Sequence, residues 1–136
     1  MSRKMKPVVH FEMPFKNNTR MQKFYQSAFG WETKELGAQM GEYVLATTTE
    51  PGENGFPKNP GAINGGFYPQ KEHLPNQAPS LVIAVDDIHE SMKMVKDNGG
   101  MLLGEPVEIP GYGMYMSFFD TEGNRVSMMQ SKMPVK

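Results

Sequence analysis

The sequence predicts an α+β fold: two tandem βαβββ modules forming a curved, trough-like mixed sheet. Three observations predict it. The order strand, helix, then three strands occurs twice along the chain, over residues 7–68 and 80–131. A polar, proline-bearing stretch at residues 69–79 separates the two runs as a linker. Each run holds one amphipathic helix, which can cover only one face of a four-stranded sheet. Sequence identity between the halves is slight, so the repeat lies in the order of elements. The two uncovered faces are expected to make a trough with polar residues inside.

Each element has its own signal. In Pro7–Phe15, Val9, Phe11 and Met13 alternate with His10, Glu12 and Pro14, the period of a half-buried strand. The apolar set packs against a helix, so His10 and Glu12 face the opposite way. Asn17 and Asn18 offer an N-cap, and Met21, Phe24, Tyr25, Ala28 and Phe29 follow at helical spacing before Gly30 stops the helix. Strands are predicted over Trp31–Leu36, Gly41–Thr49 and Ala62–Tyr68, with a loop over Glu50–Pro60. The Gly65–Gly66 pair suggests a bulge or a close approach by another group. In the second run, Ser80–Val85 is a strand, and Asp87 with Glu90 resembles a capping box. Ile88, Met92 and Val95 form the inner stripe of the helix, which ends at Asn98, Gly99 and Gly100. Met101–Ile109 is a strand interrupted by Pro106. A hairpin from Gly113 to Gln130 closes the run around Asp120-Thr121-Glu122-Gly123-Asn124, because Asp bonds its own backbone and Gly and Asn tolerate positive φ. Met114, Met116 and Phe118 share one face of its first run and Tyr115, Ser117 and Phe119 the other. In its second run Arg125, Ser127 and Met129 alternate with Val126, Met128 and Gln130, so Ser127 sits mid-strand on a face able to line a cavity.

Composition sets the outer limits. A chain of 136 residues suits one compact domain, and a net charge of −1 leaves no footprint for nucleic acid or an anionic membrane surface. There is no Cys, so thiolate chemistry and disulfides are excluded. No apolar run reaches signal-peptide or membrane-span length, and a cytoplasmic location is expected. The 13 Met read as adaptable core filler, with some available to wall a soft pocket.

The hairpin resembles the closing hairpin of the vicinal oxygen chelate superfamily, the glyoxalase I, bleomycin-resistance and extradiol-dioxygenase group. There the run reads roughly F-x-D-P-x-G-N-x-x-E-L-x-Q; Asp120, Gly123, Asn124 and Gln130 match, while Ser127 stands where the metal-binding Glu would be. The resemblance extends to Val9-His10-Phe11-Glu12, to Phe24-Tyr25 ahead of Phe29-Gly30-Trp31, and to Val85-Asp86-Asp87. It covers nearly the whole chain and is nearest to the subgroup of predicted lactoylglutathione-lyase-related proteins. Paired βαβββ modules and frequent dimers are what the resemblance implies. Four metal ligands come from the first and last strand of each module in metal-bearing members. Carried over, these positions are His10, Gly65 or Gly66, Ser80 and Ser127, so one ligand of four survives. Divalent catalytic metals need three or more imidazole or carboxylate ligands. No metal or other cofactor is therefore expected unless His10 finds unusual partners, and glyoxalase I activity loses its Lewis acid.

Two candidate roles follow. His10 with Glu12 would move a proton in a lyase- or isomerase-type reaction, or His10 is a histidine satisfied by Glu12, Tyr43 or a carbonyl. Glu12 reads first as a solvated strand-end acid. Tyr43, Phe67, Ser80, Tyr112, Tyr115 and Ser127 are candidates for lining a pocket that takes a small organic ligand. Phe67 is as consistent with packing between strands. Neither Ser80 nor Ser127 sits in a nucleophile motif, and His73 and His89 read as solvated. The expected protein is a homodimer that binds a small organic molecule, with metal-independent catalysis or a protein-adaptor role as alternatives.

Overall fold

The computed structural model describes residues 4–53, 57–74 and 77–132. Parts of two predicted segments, residues 54–56 of the Glu50–Pro60 loop and 75–76 of the linker, lie outside these. The strands are β1 (Val8–Phe15), β2 (Glu32–Glu35), β3 (Val44–Thr47), β4 (Asn64–Pro69), β5 (Ser80–Ala84), β6 (Met101–Ile109), β7 (Gly113–Phe119) and β8 (Arg125–Ser131). The helices are α1 (Asn18–Phe29) and α2 (Ile88–Asp97), and one 3₁₀ turn spans Ala38–Met40. The chain divides into two compact units, His10–Pro79 and Ser80–Lys136, the latter joined by Met1–Val9. The unit boundary thus falls inside β1, just ahead of His10.

In the His10–Pro79 unit the strand order is β2-β3-β4-β1. Strand β4 runs parallel to β1 and antiparallel to β3. Val44, Ala46 and Phe67 are its buried core, with Phe11, Met13, Met21, Tyr25 and Trp31 packed around them. A side chain of that size taken out of water contributes about 1.5–3 kcal/mol. Asn17 caps α1 by accepting from Arg20 N–H at 2.9 Å, and Gly30 ends it with φ 71°. The predicted inner stripe of α1 is only partly inner. Met21 and Tyr25 pack on the sheet, but Phe24 and Phe29 are 55% and 64% exposed. The stripe is wider than the surface it covers, so Phe24 and Phe29 pack instead edge-on to each other, centroids 6.1 Å apart.

The Ser80–Lys136 unit repeats this plan with β5-β8-β7-β6, the first strand parallel to the last. Its core is Val85, Ile88, Met116, Phe118 and Met128, beneath α2. The thioethers of Met116 and Met128 serve as filler there. Strand β6 continues through Pro106 by shifting register between Leu103 and Val107. The β7–β8 turn forms around Asp120, whose carboxylate accepts from the backbone N–H of Glu122 at 2.9 Å and of Asn124 at 2.8 Å. Asp87 caps α2, accepting from His89 N–H at 3.0 Å and Glu90 N–H at 3.2 Å. The capping box is not closed by Glu90. Instead Gln130 Oε1 accepts the Ile88 N–H at 2.8 Å, so β8 supplies the second cap of α2. Asp87→Ala is expected to cost about 1 kcal/mol, read from the urea midpoint.

Candidate functional site

The site begins with strand parity. Because side chains alternate, placing Phe11 and Met13 in the core sends His10 and Glu12 to the face opposite α1. Glu12 pairs with Gly66 of β4, and Gly66 pairs with Leu45 of β3. Tyr43 lies one residue ahead of β3, with the parity of Leu45, and its ring extends across Gly66. Its hydroxyl donates to Glu12 Oε2 at 3.0 Å and meets His10 Nε2 at 2.9 Å. Tyr43 has one proton and gives it to Glu12, so Nε2 is the donor in the second bond. His10 is then the Nε2–H tautomer, with Nδ1 left as the basic atom. The three residues form a hydrogen-bonded chain, His10 to Tyr43 to Glu12.

Glu12 is 8% exposed, so it is not the solvated strand-end acid that its position alone allows. Burial pushes the His10 imidazole from 6.5 down to about 4, because the cation loses its hydration. At neutral pH His10 is therefore uncharged.

The glycine pair makes this arrangement possible. A Cβ on Gly66 would stand 2.1 Å from the Tyr43 hydroxyl, and one on Gly65 would stand 2.5 Å from the Phe11 ring. One ring thus lies against each face of β4, where only hydrogen leaves room. The close approach expected at Gly65–Gly66 is made by the chain's own aromatic rings.

The other candidate residues are placed as follows. Phe67 is paired with Met13 and Val44 and is buried in the α1-facing core, on the opposite face from His10. In the second unit Ser127 is buried and sits 2.8 Å from both the Tyr115 hydroxyl and Ser117 Oγ. Ser117 was not among the predicted pocket residues, and the register Ser117↔Ser127 brings it to Ser127. A hydroxyl bonded between two hydroxyls has no base to activate it, so Ser127 is a structural link. Ser80 opens β5, and Tyr112 is exposed in the turn between β6 and β7. His73 and His89 are both exposed, as expected.

The positions carried over from metal-bearing members offer few donors to a divalent metal. His10 Nε2 is engaged by Tyr43, Gly66 has no side chain and its side-chain space is filled by the Tyr43 ring, and Ser127 is bonded to neutral hydroxyls. Among the described residues no three of His, Cys, Asp and Glu stand together. Imidazole and carboxylate are present at the His10 end only, short of the three or more such donors that a catalytic divalent site requires.

Two four-stranded βαβββ units of like topology, each with a helix on one face and a polar cluster on the other, define a paired-module protein. The chain belongs to the Glyoxalase/Bleomycin resistance protein/Dioxygenase superfamily, whose sequence profile matches residues 8–128. It is 30% identical over 115 residues to a glyoxylase-like domain-containing protein of Didymella fabae, covering 83% of this chain and 84% of that one. Among solved structures it is similar to a hypothetical protein of Bacillus halodurans C-125, with TM-score 0.68 and 16% identity over 98% of this chain and 99% of that one. It is also similar to Streptomyces coelicolor methylmalonyl-CoA epimerase in complex with 2-nitronate-propionyl-CoA, with TM-score 0.70 and 13% identity over 98% of this chain and 99% of that one. These structures share the fold. No helix among the described residues is long and apolar enough to cross a membrane.

Proposed function

We propose that this protein binds a small, neutral organic molecule at the His10–Tyr43 surface without a metal, and that it does so as a homodimer. The observation that carries the reading is the Tyr43 ring lying over Gly66 and bridging His10 to Glu12, where metal-bearing relatives would place ligands. The near-parallel rings of His10 and Tyr43, 19° apart, offer a flat surface, and uncharged Nδ1 can accept a hydrogen bond from a ligand N–H or O–H. The depressed basicity of His10 weighs against proton abstraction. A general base works best with a pKa near the operating pH, and a base about three units below it forfeits most of its driving force.

The test combines three measurements. Metal analysis of untagged protein is expected to find well below one equivalent of zinc, nickel or iron. In a thermal-shift screen of phenols, aryl amides and bleomycin, ligands of the native protein are expected to bind about tenfold more weakly to His10→Ala. Turnover of the methylglyoxal–glutathione hemithioacetal is expected to be absent. One equivalent of bound metal whose removal abolishes binding would overturn the proposal.

A second reading is favoured by the same hydrogen-bonded chain. Glu12 and Tyr43 could stabilise a protonated His10 during a lyase- or isomerase-type proton transfer. Turnover of a carbonyl or phenolic substrate, lost in His10→Ala and reduced in Tyr43→Phe, would establish it over simple binding.

A further inference from the structure

A cavity lies within the His10–Pro79 unit, on the α1 side of the sheet and away from His10. It has a volume of about 460 Å³, and its apolar wall includes Met13 and Phe67 from the strands and Met21, Phe24 and Tyr25 from α1. Small-molecule sites span roughly 300–1,000 Å³, so this cleft accommodates a medium-length acyl chain or an aromatic ring system. Phe24, more than half exposed, becomes one side of that wall rather than an unexplained surface residue.

Charge at the cleft has one sign. Lys16 and Arg20 line it, no acidic residue does, and the first turn of α1 contains no acid. Among the described residues neither cation lies within ion-pair distance of a carboxylate, whereas Lys4, Lys58 and Lys93 each do. The helix end is not the source of the attraction, because Asn17 already takes the Arg20 N–H. An apolar wall beside two uncompensated cations is complementary to one class of ligand. We propose that this cleft binds an amphipathic organic anion, its acyl or aryl tail on the Met21–Phe24–Tyr25 wall and its carboxylate between Lys16 and Arg20.

Trp31, the only tryptophan in the chain, provides a reporter. Its ring stacks on Tyr25 at 4.6 Å, directly behind the cleft wall. Titration of the full chain with sodium octanoate is expected to change Trp31 emission and to saturate at one equivalent in calorimetry. Octanoate is expected to bind about tenfold more tightly than either 1-octanol or octylammonium, which share its tail. Each methylene removed is expected to weaken binding about fourfold, the burial contribution of one CH₂. Because Lys16 and Arg20 are exposed, the double variant Lys16→Gln/Arg20→Gln is expected to fold normally. It is expected to lose octanoate about tenfold while binding 1-octanol within about twofold of the native protein. The variant His10→Ala is expected to retain octanoate, which separates this cleft from the His10 surface. Equal affinity for octanoate and octylammonium, or undiminished octanoate binding by the double variant, would overturn the proposal.

Discussion

Replacing Gly65 with Ala is expected to destabilise the protein by about 3 kcal/mol, whereas Gly66→Ala is expected to cost less and to dismantle the His10 site. Alanine normally improves on glycine inside a strand, by roughly 0.5–1 kcal/mol, so both losses run against the background sign. At Gly65 the added methyl meets three Phe11 ring atoms at 2.5 Å. That ring packs against Trp31 at 5.6 Å and Phe67 at 6.4 Å between centroids, so displacing it disturbs the α1-facing core. At Gly66 the methyl meets the far end of Tyr43, which is only half-buried and can rotate outward. Its departure breaks bonds of 2.9 and 3.0 Å to His10 and Glu12, worth about 1 kcal/mol each. Urea unfolding of a double-mutant cycle would separate the two mechanisms. Gly66→Ala is expected to be nearly neutral in a Tyr43→Ala background, while Gly65→Ala keeps its full cost there. Additive losses for Gly66 and Tyr43 would show that the ring does not occupy the space over Gly66.

The second large effect is on acid stability. The imidazole titrates near 6.5 when the chain is unfolded and near 4 when His10 is buried. Between those values the unfolded chain binds the extra proton and the native protein does not, so acidification pulls the equilibrium toward unfolding. The native advantage is intact above pH 6.5 and is lost progressively down to about pH 4, a total of about 3 kcal/mol. Asp120 acts lower on the scale. The Asn124 side chain, followed by backbone N–H groups, holds its carboxyl below the ordinary 3.8, so its contribution fades only under more acid conditions. Urea midpoints at pH 4, 5, 6 and 7 are expected to fall with pH for the native protein and to flatten across this window in His10→Gln. An unchanged slope in that variant would place the pH dependence elsewhere.

Much of this molecule was readable from local pattern. Strand parity put His10 and Glu12 on the opposite face from Phe11 and Met13, and the Asp120–Asn124 turn was marked by its own chemistry. What was not readable depended on pairing between distant strands. Tyr43 reaches His10 and Glu12 only because Glu12, Gly66 and Leu45 lie abreast on three strands. Glycines erase the alternation that would have oriented β4, and so the sequence did not say which face Phe67 takes; it lies on the α1 side, away from His10. The spread of Phe24 and Phe29 around α1 was visible as helical period, but the width of the sheet beneath was not. Lys16 and Arg20 were visible only as surface charges until the cleft brought them beside an apolar wall.

The Gln130 cap on Ile88 has a consequence for the order in which the chain is made. Synthesis delivers α2 and β5 well before β8, yet β8 carries both the acceptor for Ile88 and the parallel partner of β5. On the ribosome this half of the protein waits for its closing strand, with the start of its helix uncapped at Ile88. A transcript truncated ahead of Arg125 would release a chain whose β5 lacks that neighbour, and an open strand edge of this kind recruits other chains.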